Sequence, residues 1–134
     1  MRSRVVKGIL VLYIIGLCFC CFWNFRGSID FSTGWFGAVS DKVVHFLLFF
    51  PFPILSYCAF PGMRDTGTRL TRFCIAVFVI GVAVGVATEV VQGWTGYRSR
   101  DSLDLVADCC GLAASVICLQ VFEMIKRKRR KAEK

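Results

Sequence analysis

A chain of 134 residues that is 56% hydrophobic, carries 13 phenylalanines and has a mean hydropathy of +0.62 is too apolar for an ordinary soluble domain, where the apolar share is nearer half with glycine included. A soluble fold of this size has no interior large enough for so many phenyl rings, so lipid is the expected solvent. A net charge of +8 suits nucleic acid only as a sum; its distribution along the chain points to a membrane surface, and no nucleic-acid partner is expected.

Four apolar stretches follow one another, at about residues 5–23, 43–60, 73–91 and 103–125. Each has about 18–23 residues, enough for a helix to cross about 30 Å of hydrocarbon at about 1.5 Å per residue. A helix also satisfies its own backbone hydrogen bonds, which lipid cannot do. The first stretch follows Arg2, Arg4 and Lys7 as a signal peptide would, but it ends in Cys20-Cys21-Phe22-Trp23 without a small-residue cleavage site, so a retained helix is expected. The second contains Pro51 and Pro53, which predict a kink. The third carries Gly81 and Gly85, and the fourth runs into a basic tail at 126–134. Turn-formers separate the stretches: Gly27 and Gly34, then Pro61-Gly62 and Gly67, then Gly93 and Gly96. The expected fold is all-α, a single domain over residues 1–134 built as a four-transmembrane-helix bundle.

Charge sets the expected orientation. Arg2, Arg4 and Lys7, then Arg64, Arg69 and Arg72, then Lys126 to Lys131 and Lys134 place thirteen of the seventeen basic residues on one side of a four-helix meander. That side is expected to face the cytoplasm, with both termini inside, because Lys/Arg bias governs topology. Trp23, Trp35 and Trp94 fall at the opposite boundary, where an aromatic belt would lie. The tail is read as an anchor for anionic lipid, and the setting as a multi-pass protein of the bacterial cytoplasmic membrane. The eight cysteines, at 18, 20, 21, 58, 74, 109, 110 and 118, form no C-x-x-C pair and read as small hydrophobes.

Ionisable residues within membrane helices are costly, which makes them functional-site candidates. Here they converge. Asp41 and His45 share a face at the start of the second helix, Glu89 and Gln92 end the third, and Asp101, Asp104 and Asp108 step into the fourth. Antiparallel succession brings all three helix ends to one membrane level. Gly81, Gly85 and Glu89 repeat every four residues, and Asp104, Asp108, Gly111 and Ser115 form one stripe. Such small-residue faces let helices approach closely, so the acids are expected to point into the bundle. The Gly81–Gly85 spacing also suits a homo-oligomer contact, with packing inside one chain the favoured use. The loop from Gly93 to Arg100 adds Trp94, Tyr97, Arg98 and Arg100.

D-K-x-x-H-F (Asp41, Lys42, His45, Phe46), then E-x-x-Q (Glu89, Gln92), then R-x-x-D-x-x-D-x-x-x-D-x-x-G (Arg98, Asp101, Asp104, Asp108, Gly111), in this order at these helix ends, resembles the VanZ-like membrane proteins, named for a member associated with teicoplanin resistance. The resemblance covers about Val39 to Ser115. One departure is Asp108, where the family pattern often has Asn; an ionised carboxylate only accepts hydrogen bonds, whereas an amide also donates.

The resemblance implies an envelope function and an effect on susceptibility to a lipoglycopeptide, a drug aimed at lipid-linked cell-wall precursor. Physically, the outer cleft would bind an anionic headgroup or such a precursor, with Arg98 and Arg100 as forks for phosphate or carboxylate and Asp104, Asp108 and Glu89 holding Arg98. One alternative is structural, with the cluster serving only to fix helix packing through interhelical hydrogen bonds. Another is a membrane-embedded hydrolase acting on lipid headgroups, with His45 and Asp41 or a carboxylate pair as acid and base, or with the same ligands around a divalent metal. No nucleophilic serine motif, phosphate loop or phosphatase pattern supports catalysis, and no resident metal or cofactor is expected. Proton-coupled transport lacks a polar path below Glu89 and Asp108. A reporter fused at residue 97 is expected on the non-cytoplasmic side; cytoplasmic activity of that fusion would overturn the charge argument.

Overall fold

The computed structural model describes residues 2–22, 35–63, 67–95 and 102–133. Its elements are α1 (Arg2–Phe22), α2 (Trp35–Phe49), α3 (Pro51–Ala59), a short 3-10 turn (Pro61–Met63), α4 (Gly67–Thr95) and α5 (Ser102–Ala132), with no strand among the described residues. Four segments are long and apolar enough to cross a membrane, α2 and α3 together supplying the second. The expected all-α, four-span architecture is what forms.

Side-chain contacts between helix ends establish the alternation. At one end, Ser3 Oγ donates to the Ala59 carbonyl at 3.3 Å, and Gly67 lies against the Arg127 guanidinium. At the other, Gln92 Nε2 donates to the Cys21 carbonyl at 2.6 Å, and Lys42 Nζ reaches Asp104 at 3.3 Å. The chain therefore runs up, down, up and down between a basic end and an acidic end, and four crossings return it to the side on which it began.

The helices extend beyond the apolar stretches. α2 begins at Trp35, ahead of the expected residue 43, and α5 continues through the basic tail to Ala132. Hydropathy marks only the portion that meets hydrocarbon. Lysine and arginine are good helix formers, so α5 continues through its charged residues.

The second span is divided at the prolines, into α2 and α3. Pro51 has no N–H for the Leu47 carbonyl, and Pro53 none for that of Phe49. Phe50 keeps helical angles (φ −58°, ψ −42°) and donates to the Phe46 carbonyl at 3.0 Å, so the chain stays helical across the division. The Tyr13 hydroxyl of α1 donates to the Leu48 carbonyl beside the prolines.

α5 is the axis of the bundle. Its buried residues, Asp104, Asp108, Gly111, Leu112, Ser115, Leu119 and Glu123, form one stripe along the helix, packed against α2, α3 and α4, while α1 packs on α3 and α4. Large apolar side chains such as Leu12, Ile15, Val79 and Ile117 point outward and are exposed, the reverse of a water-soluble protein but suited to lipid. Polar groups, among them His45, Asp104, Asp108 and Ser115, lie inside. Trp94 is exposed at the acidic end, where the aromatic belt is expected.

The tightest backbone approach is at Gly111. A Cβ there would lie 2.5 Å from the Phe46 carbonyl oxygen of α2, so only glycine allows the two backbones this distance. Gly81 and Gly85 serve the α4–α5 seam in the same way, facing Leu112 and Asp108; their face is used within the chain. Gly111→Ala is expected to destabilise the protein by about 1–3 kcal/mol in thermal unfolding in detergent. Gly16→Ala, with nothing within 4 Å of the added carbon, should not.

Candidate functional site

The acidic end of the bundle gathers groups from three elements. α2 contributes Asp41, Lys42 and His45; α5 contributes Asp104 and Asp108, one turn apart; α4 contributes Glu89 and Gln92. Asp104 lies in the first turn of α5, where the positive end of the helix dipole favours a carboxylate. Asp108 is about 9 Å along the helix from Ser102 at 1.5 Å per residue.

His45 is the centre of the arrangement. Its Nδ1 is 3.0 Å from Asp108 Oδ1 and its Nε2 is 3.7 Å from Asp104 Oδ2, with His45 2% exposed, Asp104 1% and Asp108 0%. The shorter contact is a hydrogen bond; the longer is beyond hydrogen-bond range. Lys42 Nζ takes the other oxygen of Asp104, Oδ1, at 3.3 Å, and its side chain keeps 27% exposure. Asp41, half-buried one turn before His45, completes a group in which one ligand atom each from Asp41, His45 and Asp104 lie within 4.8 Å of one another. These three could hold a metal ion.

The third helix joins in two ways. Gly85 brings α4 so close that a Cβ there would lie 3.1 Å from Asp108 Oδ2, which leaves buried Glu89 one turn further toward the acidic end. Gln92 turns to α1, where it meets the Cys21 carbonyl. That bond ties α4 to the last described turn of α1.

Of the nine candidate residues, the structure brings His45, Asp104 and Asp108 into direct contact, sets Asp41 beside them and buries Glu89 and Gln92 at the same end. Arg98, Arg100 and Asp101 lie outside the described residues, as do Trp23 and Tyr97. Lys42, quoted as part of the motif but left out of the candidates, is the described cation on Asp104.

A second polar pair lies at the basic end. The Tyr57 hydroxyl donates to Glu123 Oε1, and Lys126 Nζ binds the same oxygen at 2.9 Å. Glu123 is buried, although its basic neighbours make it read as a surface charge. The signal was available: steps of four from Ser115 through Leu119 lead to Glu123 on the same stripe.

The family model described as VanZ/LLP1 matches residues 10–123, most of the chain and every described member of the cluster. The chain belongs to the VanZ/LLP1 family. The VanZ/LLP1 match begins within α1, so family character extends beyond the Val39–Ser115 region that carries the motif resemblance. The chain is also similar to an uncharacterized protein of Schizosaccharomyces pombe, with 28% identity over 117 residues, which cover 87% of this chain and 65% of the relative. The chain thus spans about two thirds of the length of this relative. No solved structure matches it. Family membership and the four apolar helices make it a multi-pass membrane protein.

Within this VanZ/LLP1 site, Asp108 acts on His45 as an acceptor, so an amide oxygen can replace it. Removing the acceptor altogether leaves a buried imidazole N–H unpaired, which costs about 1–3 kcal/mol. Thermal unfolding in detergent is therefore expected to show a loss of that size for Asp108→Ala and less than half of that loss for Asp108→Asn.

Proposed function

We propose that this VanZ/LLP1 protein lies in the bacterial cytoplasmic membrane with both termini in the cytoplasm, and binds an anionic headgroup or lipid-linked cell-wall precursor at the outer leaflet. One observation carries the reading. The carboxylates of Asp104 and Asp108 are enclosed, whereas the side chain of Lys42, whose ammonium lies on Asp104, keeps 27% exposure. What the site offers a ligand is thus a cation held in place by buried acids.

Arg98 and Arg100, in the segment leading into α5, add guanidinium groups suited to bidentate phosphate or carboxylate recognition. The level of the site also suits a headgroup, since Asp104 is only two residues into α5 and Trp94 is exposed nearby in the chain. A phosphate is chemistry common to bacterial lipid-linked precursors and to the phospholipids of a yeast, the source of the similar S. pombe protein. In a bacterium, occupancy of a lipid-linked precursor would alter susceptibility to a lipoglycopeptide such as teicoplanin.

The burial of His45 between two aspartates favours a second reading, in which the cluster only fixes the register of α2 on α5. The two readings separate by experiment. Native mass spectrometry of the full chain, released from nanodiscs containing phosphatidylglycerol, phosphatidylcholine and a polyprenyl pyrophosphate, should show anionic lipid retained by the wild type. Lys42→Gln, which removes a charge, and Arg98→Lys, which keeps the charge but loses the bidentate fork, should each reduce that retention about 10-fold, equivalent to about 1.4 kcal/mol, without loss of fold. Unchanged retention in both would leave the structural reading.

A further inference from the structure

The Asp41–His45–Asp104 group does more than balance charge. We infer that it is a binding site for a divalent first-row metal ion, with His45 Nε2, one oxygen of Asp41 and Asp104 Oδ2 as the protein ligands and Asp108 as the residue that orients the imidazole. The site is shared with the headgroup reading, but metal binding does not depend on that reading.

The two faces of His45 carry the inference. Nδ1 lies 3.0 Å from Asp108 Oδ1, a hydrogen bond in which the ring donates, which leaves Nε2 as the nitrogen directed at Asp104 Oδ2. The separation is 3.7 Å. Two donors of one metal ion, each at about 2.0–2.2 Å, are roughly 2.8–3.8 Å apart for angles of 90–120°, so 3.7 Å falls at the wide end of the spacing within a coordination shell. A carboxylate on the remote nitrogen of a metal-binding histidine is the recurrent way of setting its tautomer and direction.

Asp104 is divided to match. Lys42 holds Oδ1 at 3.3 Å, so Oδ2 is the oxygen turned to His45. Asp41 comes from one helical turn before His45, and its ligand atom falls within 4.8 Å of both others. The donors are therefore fixed on two helices whose backbones are locked together by the Phe46–Gly111 contact, a rigid setting of the kind metal sites need. Charge agrees: among the described residues at this end, Asp41, Glu89, Asp104 and Asp108 outnumber Lys42 and His45, and a divalent ion offsets acids that are expensive to bury. One imidazole and two carboxylates suit zinc or manganese better than magnesium or calcium, which favour all-oxygen shells. Three protein ligands leave positions open, and half-buried Asp41 is the ligand nearest solvent.

The chain has a single histidine, so isotope labelling of histidine reports this site alone. The full chain, labelled with 15N-histidine, stripped of metal and held in detergent without phospholipid, is titrated with zinc. One equivalent is expected to shift the Nε2 resonance while Nδ1 keeps its proton, and Asp41→Asn should weaken zinc at least 10-fold in competition with a chelator. Tyr57→Phe, at the basic end, should bind as the wild type. An imidazole spectrum that does not respond to excess zinc, or zinc taken up by the cysteines with the His45 signals unmoved, overturns the inference, as does wild-type affinity in Asp41→Asn. Because no phospholipid is present, failure here leaves the headgroup reading intact, and loss of lipid retention in nanodiscs leaves the metal site intact.

Discussion

The close approach of α2 to α5 at Gly111 is the contact on which the rest of the arrangement depends. With the Phe46 carbonyl against the glycine Cα, the preceding residue, His45, is delivered between Asp104 and Asp108, which lie two turns and one turn up the same face of α5. A side chain at 111 would push the helices apart and withdraw the imidazole from both carboxylates. Buried charge is tolerated in a membrane when its partners are supplied at short range, and here the supply is a matter of backbone distance. Packing and electrostatics are one requirement at this end of the bundle.

The same helix organises the basic end differently. Glu123 continues the stripe of Asp104 and Asp108 nineteen residues on from Asp104, about 28 Å at 1.5 Å per residue, close to the thickness of the hydrocarbon layer. There it receives the Tyr57 hydroxyl and Lys126. α5 thus carries buried carboxylates near both boundaries, with Ser115 and leucines between them. At the basic end the partners are a phenol and an ammonium one turn away on the same helix; at the acidic end they come from another helix and include the chain's only imidazole. The second arrangement has donor atoms suited to a metal and a partly exposed lysine suited to an anion. The first has neither the imidazole nor the second acid.

The proline-divided second span connects these ends. Pro51 and Pro53 release two carbonyls of the second span from intrahelical bonding, and α3 goes on to pack on α1 as well as α5. Tyr13 joins α1 to the Leu48 carbonyl beside the prolines, while Gln92 joins α4 to the last described turn of α1. α1 does more than fill space: it is tied beside the prolines and at its last described turn.

Much of this was legible in the residue string. Four spans follow from length and hydropathy, because lipid makes each crossing segment meet its backbone hydrogen bonds alone. The division of the second span follows from two prolines, and the convergence of Asp41, His45, Glu89, Asp104 and Asp108 at one end follows from alternating helix direction. Helical periodicity also placed Gly111 and Asp108 on one stripe. Tertiary structure decided what periodicity cannot encode, namely which stripe faces which. It set His45 between two aspartates, gave Asp104 to Lys42, sent Gln92 to α1 and buried Glu123 against Tyr57. Each depends on helix rotation and separation, quantities fixed by contacts between residues tens of positions apart. A one-dimensional pattern records which side of a helix is polar, and only packing determines the partner that side meets.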